Sequence, residues 1–484
     1  MATALPQNQI RMTLSEVAQA CGGRLVGDGA ARIRSVSTDT RTIQPGALFV
    51  ALRGTTSDGH RHLAAAYSAG AVAALTEAGW DCAPTRIEVA DTLAALGHLA
   101  RFHLGRMRQL HPLPAIAIGG AVGKTTTKEL TAALAGARFG TILATAGNLN
   151  NLIGVPLTLL SLTPEHRAMV IECGTNSPGE IRRLGQMVEP DVALVLNAEI
   201  EHTEGLGNAE RIAEEEAALF AFARRARVTW SEDRRLRARI HDDGLPTLFF
   251  GTGPEADVRL LAREATADGR QHLTIALSRR MRAAETSELF EVDLPLLGAA
   301  AALNTTAALA AIAALAPVTP EEMPAMRNAL AQIKPVAARM HLRQLGALSV
   351  LDDSYNASPS SVREALSSAR EIANRRGSRL IVALGDMLEL GSLAAEMHQG
   401  AIADALAASP AILVAVGPEM GGALSEILAP ATIQSYALAN SASAGALIRG
   451  LARPGDLILV KGSRGIRMER VIEALEQATQ PPEK

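Results

Sequence analysis

The sequence predicts a three-domain α/β protein with a mainly parallel sheet in its middle domain. Three observations predict it. A glycine-rich turn, Gly120-Ala-Val-Gly-Lys-Thr-Thr-Thr-Lys128, stands between a short apolar run and a helix-like run. Short apolar runs that end at polar residues alternate with helical patterns on either side of the middle. The chain is 484 residues long, which suggests about three domains, and proline-marked breaks fall at His111-Pro-Leu-Pro114 and Ile333-Lys-Pro335.

Residues 1–112 form the first expected unit, with short strand candidates such as Ala47–Leu52 between turns. Residues 113–337 form the second. Its strand Ala115–Ile118 feeds the glycine turn, a helix follows over Glu129–Leu134, and Met169–Glu172 and Val192–Asn197 are further strands. Alternation of strands and helices is expected to run to about 335, with active-site residues at strand carboxyl ends. Leu294–Val318 is long and uncharged, but Pro295, Asn304 and Pro317 interrupt it, so a buried helix with its approach strand is expected rather than a membrane span. Residues 338–484 form the third unit, a second α/β region built on Leu348–Leu351, Leu380–Leu384, Ala411–Val416 and Leu457–Val460.

Composition narrows the function classes. The chain is 48% apolar and 20% charged, ample for large cores. A net charge of -3 offers no basic field for nucleic acid. Cys21, Cys82 and Cys173 lie far apart, without metal spacing or a disulfide framework, as suits a reducing cytoplasm. Met1–Thr13 lacks the apolar core of a signal peptide, so a cytoplasmic location without membrane insertion is expected. Lysine is confined to positions 124, 128, 334, 461 and 484, which makes each lysine worth a question.

The glycine turn carries the first chemistry. A turn between strand and helix points backbone N–H groups at a phosphate, Lys124 adds a mobile positive charge, and Thr125 offers a hydroxyl for a phosphate-bound Mg²⁺. The spacing Gly-x-x-Gly-Lys-Thr is two residues shorter than the ordinary phosphate loop. A solvated turn is the alternative; the strand before and helix after favour nucleotide binding.

Seven motifs in order resemble those of the Mur ligases, over about residues 35–470. They are Thr38-Asp-Thr-Arg41 with Pro45-Gly46 and Asp58-Gly-His60, then Gly120–Lys128, Asn148-Leu-Asn-Asn151, Gly154-Val-Pro156, Leu351-Asp-Asp-Ser-Tyr-Asn-Ala357, Gly385–Gly391, and Lys461-Gly-Ser-Arg464. The resemblance is closest to members that join D-alanyl-D-alanine to UDP-N-acetylmuramoyl-tripeptide in peptidoglycan precursor synthesis. It implies phosphorylation of the tripeptide's terminal carboxylate by ATP, then attack of the dipeptide amine on the acyl phosphate. It also implies an N-terminal UDP-sugar domain, a central phosphate-loop ATP domain, a C-terminal Rossmann-like α/β domain, and a monomer.

Roles follow by resemblance. Gly120, Gly123, Lys124, Thr125, Thr126, Asn304 and Arg339 are expected to hold the nucleotide. Thr125, Glu172 and His202 are expected to hold Mg²⁺. Lys124, Glu172, His202 and Asp353 are the expected catalytic set. Thr38, Asp39, Arg41, Asn148, Asn151, Tyr355, Asn356, Lys461 and Arg464 are expected to bind substrate. On the residues alone, Glu172 could equally pair with an arginine, Arg339 could form a surface salt bridge, and one of Asp352 and Asp353 could cap the next turn. Asp386 is read as orienting a partner or the amine, and Glu389 as a helix-face charge.

Two departures stand out. The family carries a lysine in an Ala-Lys-Gly-Glu segment after the histidine, and its carbamate helps hold a second Mg²⁺. Here Glu216 takes that place, within Ile212-Ala-Glu-Glu-Glu-Ala-Ala218, and no lysine occurs between Lys128 and Lys334. Glutamate falls short of a carbamyl-lysine by roughly 3–4 Å, so Glu216 is either a replacement ligand or part of a solvated face with Glu214 and Glu215. Ala300 and Ala301 stand where the family has His-Asn at the adenine edge, leaving Asn304 and backbone groups there. Ala121 also replaces a loop serine, and Ser358 an asparagine. Three readings follow: a working ligase of this type, a diverged ligase joining another acid and amine, or a non-catalytic paralogue that binds a UDP-sugar or peptide.

Overall fold

A computed structural model describes residues 3, 5–54, 57–80, 84–200, 203–266 and 270–479. His202 and Cys82 lie outside the described residues. Three main sheets follow one another along the chain, with strands within 24–88, 115–294 and 341–461.

The first sheet has five strands, ordered Arg24–Val26, Arg86–Glu88, Ala71–Thr76, Ala47–Val50 and Ser35–Ser37. All neighbours are parallel except the first pair. The helix Thr92–Leu110, capped by Asp91, carries Leu96, Leu99 and Leu104 into one core with Val155, Leu159 and Leu184 of the next region. Burial of apolar surface therefore joins the first unit to the second.

The central sheet has nine strands. Ala115–Gly119 lies between Ala168–Glu172 and Val192–Val195, parallel to both, and every one of its residues is buried. Continuous apolar runs of this kind suit a parallel sheet covered on both faces. The expected alternation stops after Ala226–Trp230. Thr247–Gly251, Val258–Ala265, Gln271–Leu277 and Leu289–Leu294 follow, with the short helix Arg234–Arg237 before them the only helix of this stretch among the described residues, and the last two strands are antiparallel to their neighbours. Their burial alternates with period two, a half-covered pattern that carries no long apolar run.

The helix Gly298–Leu315 is long and apolar enough to cross a membrane by length and composition, yet it lies across the central sheet in the core, with Leu309, Ile312 and Ala308 fully buried. The third sheet has six strands, ordered His341–Leu345, Leu348–Asp353, Leu457–Lys461, Leu380–Gly385, Ile412–Val416 and Gln434–Leu438. Only its first pair is antiparallel. The two outer strands were not expected from the apolar runs; they are mixed in polarity and partly exposed, as edge strands are.

Candidate active site

The phosphate loop is shaped from within the protein. Its helix begins at Lys124, earlier than the apolar pattern indicates, and runs to Phe139. Gly123 precedes it at φ +92 with no side chain capping the helix start, so the first-turn N–H groups face an open end. A Cβ at Gly123 would stand 2.9 Å from Asn304 Oδ1, so only glycine fits. The three N–H groups before it are already used. Gly120 N–H donates to Glu216 Oε2 at 2.6 Å, Ala121 N–H to the Asn197 carbonyl at 3.0 Å, and Val122 N–H to Asn197 Oδ1 at 3.0 Å. The N–H groups left at the uncapped helix start are therefore those of Gly123–Thr126. Lys124 Nζ folds back and donates to the carbonyls of Gly120 and Ala121, the latter at 2.7 Å.

Glu172 closes the neighbouring strand and is 1% exposed. Its Oε1 accepts from Thr125 Oγ1 at 3.2 Å and from Asn150 Nδ2 at 2.8 Å. Its Oε2 is buried without a hydrogen-bond partner. Among the described residues no arginine pairs with it. A buried carboxylate oxygen left without a donor is costly unless a cation or ordered water satisfies it. Among the described residues, no three His, Cys, Asp or Glu side chains gather into a metal cluster.

Glu216 does not line the cleft and does not sit on a solvated face. It is 2% exposed and holds the phosphate loop through Gly120. Glu215 is also buried, and accepts from Gly179 N–H at 2.7 Å and Ile181 N–H at 2.8 Å. Only Glu214 of the three is exposed. The helix Ala209–Ala217 thus turns two acidic side chains inward to fix two loops.

The third sheet supplies the facing wall. Register places Asp353 beside Lys461 at the carboxyl ends of adjacent parallel strands. Lys461 Nζ meets Asp353 Oδ2 at 2.6 Å and donates to the Asn356 carbonyl at 3.0 Å, while Asp353 Oδ1 accepts from Met340 N–H at 3.1 Å. Asp352 takes the turn-capping role, accepting from Ser354 N–H at 3.2 Å and Oγ at 2.7 Å. The Arg339 guanidinium lies 4.2 Å from the centre of the Tyr355 ring, and Arg464 lies 5.8 Å from it. Ala338 and Met340, on either side of Arg339, adopt φ +59 and +46, a region disfavoured for side chains with a Cβ. Ser358 caps the helix Pro359–Arg376.

A cleft of about 470 Å³ unites the two walls. It is lined by Gly123, Lys124, Thr125, Thr126, Asn148, Asn151, Glu172, Asn304, Arg339, Asp353, Tyr355, Asn356 and Lys461, all expected from the sequence. Asn151 spends its Oδ1 on the N–H groups of Ile153 and Gly154, which starts the helix Gly154–Leu160. Thr38, Asp39, Arg41, Gly120 and Arg464 are not on its lining. Asp39 caps the turn Thr40–Thr42 and pairs with Arg41, whose guanidinium holds its carboxyl below the ordinary value. His60 is buried, stacked on Trp80 and bonded to Asp58 at 2.6 Å, an internal anchor. Asp386 caps the helix Pro418–Glu426 through Met420 N–H and does not reach the cleft. Sequence reasoning missed Asn150, which braces Glu172, and Glu364, on the far wall; Asn197 was noticed only as a strand end. Asn150 lay inside a quoted motif, whereas Glu364 carried no local signal.

The chain matches the Mur ligase middle domain over residues 118–312, the Mur ligase glutamate ligase domain over 338–464, and the Mur ligase family catalytic domain over 32–103. It is 33% identical to the Escherichia coli UDP-N-acetylmuramoyl-tripeptide–D-alanyl-D-alanine ligase, covering 97% of this chain and 99% of that one. It is 30% identical to the Bacillus subtilis ligase of the same name, over 96% and 98%. A crystal structure of MurF from Acinetobacter baumannii superposes with a TM-score of 0.86 at 27% identity, over 97% of this chain and 100% of that one. MurF from Thermotoga maritima in complex with ADP superposes with a TM-score of 0.78 at 26% identity, over 91% and 97%.

Proposed function

The chain belongs to the Mur ligase family, and from that membership we propose that its cleft joins D-alanyl-D-alanine to UDP-N-acetylmuramoyl-tripeptide at the expense of ATP. The observation that carries this is one cleft holding Lys124 and Thr125 at an uncapped helix start, with the Asp353–Lys461 pair opposite.

The γ-phosphoryl group passes to the tripeptide's terminal carboxylate. The dipeptide amine then attacks the acyl carbon, and the tetrahedral intermediate collapses to the amide and phosphate, with ADP left on the enzyme. In this chain the first-turn N–H groups of Gly123–Thr126 bind phosphate oxygens, and Lys124 leaves the loop carbonyls to neutralise them. The orphaned Oε2 of Glu172, beside the Thr125 hydroxyl, fits a hard cation. Mg²⁺ held by Thr125 and Glu172, with His202 as the further ligand, would neutralise charge on the transferring phosphoryl group. Arg339, on the cleft lining over Tyr355, adds positive charge. Tyr355 and Asn356 orient the incoming dipeptide, and the two walls together keep water from the acyl phosphate.

The division of labour we infer is residues 1–112 for the UDP-sugar end, 113–337 for ATP, and 338–484 for the dipeptide and nucleotide. Thr38, Asp39 and Arg41 suit the first role because Arg41, though paired, keeps a side chain 86% exposed. Asn148 and Asn151 line the cleft and suit the peptide end of the same substrate. We place the reaction in the cytoplasm, catalysed by a monomer.

Purified protein incubated with ATP, Mg²⁺ and both substrates tests the reading. Phosphate release that requires both, with the pentapeptide product confirmed by mass, is the expected result. Intact nucleotide binding without turnover would overturn it.

A further inference from the structure

The cleft extends beyond the groups that the chemistry uses. Asn304, Ala301, Ala300 and Leu297 follow one another along one face of the Gly298–Leu315 helix and its cap, away from the phosphate loop. Seven helical residues cover roughly 10 Å, room for a ribose and a base once the phosphates are fixed at Gly123–Thr126. This arm is apolar, with Leu296, Ala300 and Ala301 on its lining. The other arm passes Asn150, Thr175, Asn176 and Glu180, and offers a flat base little apolar surface.

The wall opposite the alanines is the helix Pro359–Arg376. Ser361 is committed, accepting from Ser358 N–H at 2.9 Å and donating to the Ser358 carbonyl at 2.9 Å. Ser368 sits against Gly298, where a Cβ would come 2.6 Å from its Oγ. Between them stands Glu364, the charged side chain of that wall.

We propose that Glu364 reads the nucleobase, its carboxylate accepting a hydrogen bond from the 6-amino group of adenine across Ala300 and Ala301. The proposal rests on the nucleotide-binding part of the function above. Glu364 faces the cleft from the C-terminal domain, so base recognition and domain docking become one event. Glu364 stays exposed to solvent; partial desolvation pushes its carboxyl above the ordinary value, Glu199 adds to the push, and the Ala300 N–H opposes it.

Binding of nucleotide to the whole protein, without acid or amine substrate, separates this from failure of the ligase reading. Native protein, Glu364→Ala and Glu364→Gln are titrated with ATP, GTP and purine riboside triphosphate, which lacks the 6-amino group. Loss of one hydrogen bond predicts that Glu364→Ala weakens ATP about tenfold and leaves the purine analogue within about twofold. Equal losses for ATP and the analogue, or no loss for either, would overturn the proposal and leave Glu364 a cap on the facing helix. Glu364→Gln keeps an acceptor for the adenine amino group, and its amide turns to donate to guanine O6, which repels the native carboxylate. It should therefore retain ATP and strengthen GTP. An unchanged ATP-to-GTP preference in that variant would also overturn the proposal, including where Glu364→Ala fails to fold.

Discussion

Glu216 lies under the phosphate loop and accepts the Gly120 N–H at 2.6 Å. An anion beneath an anion-binding loop is counterintuitive, but the carboxylate and Asn197 together use up the loop's first three N–H groups and fix its path. Glu216→Ala leaves a buried donor without its acceptor, at a cost of about 1–3 kcal/mol. Lower thermal stability and weaker ATP binding are expected, while Glu216→Gln, which keeps an acceptor, should lose less. Calorimetry and nucleotide titration on the two variants check this, and native behaviour of Glu216→Ala would refute it.

Gly123 should tolerate no side chain. Alanine there would be held at φ +92 with its Cβ 2.9 Å from Asn304 Oδ1. The backbone conformation alone costs roughly 1–2 kcal/mol. Gly123→Ala is expected to weaken ATP about tenfold or more, and adding Asn304→Ala should restore only the part due to crowding. Full recovery in the double variant would show that φ is not the constraint.

The Asp353–Lys461 pair is buried, so removing one partner strands the other. Lys461→Met should cost about 3–5 kcal/mol, and Asp353→Asn with Lys461→Met together should cost less than the sum of the singles. A double-mutant cycle in urea, following the transition of the C-terminal sheet, measures the coupling. Strict additivity would mean that the ion pair contributes nothing.

Asp386 gives a pH dependence. Burial raises its carboxyl above the ordinary carboxylate value, against the pull of the Met420 N–H. A carboxyl whose folded value lies above its unfolded one stabilises below the unfolded value, and that contribution is lost as pH rises through the folded value. Asp386→Asn keeps the acceptor without the charge, so it should be more stable than the native chain at neutral pH. The difference should shrink as pH falls below about 4. Melting temperatures across that range decide the matter, and a difference that grows on acidification would contradict it.

What the sequence made legible was set by how local its signals are. The phosphate loop, the acid at the end of Met169–Glu172 and the run from Leu351 to Ala357 each carry their chemistry in a few adjacent residues, and their groups line one cleft. The antiparallel half of the central sheet was illegible because half-covered strands such as Leu289–Leu294 alternate polarity. Glu216 defied the reading of a solvated helix face. Its burial depends on packing of Ala209–Ala217 beneath a loop almost a hundred residues earlier in the chain, which no local pattern records. Glu364 escaped notice for the same reason, since Ala300 lies in a different domain.

The central position of Leu457–Lys461 has a consequence for synthesis. It is the last of the six strands to leave the ribosome, yet it lies between Leu348–Asp353 and Leu380–Gly385. Until it emerges, those two strands present bare edges to one another and Asp353 waits without its lysine. A nascent chain stalled before Leu457 would therefore expose aggregation-prone strands and hold a broken site. Translation must pass Lys461 before the C-terminal half of the cleft can exist.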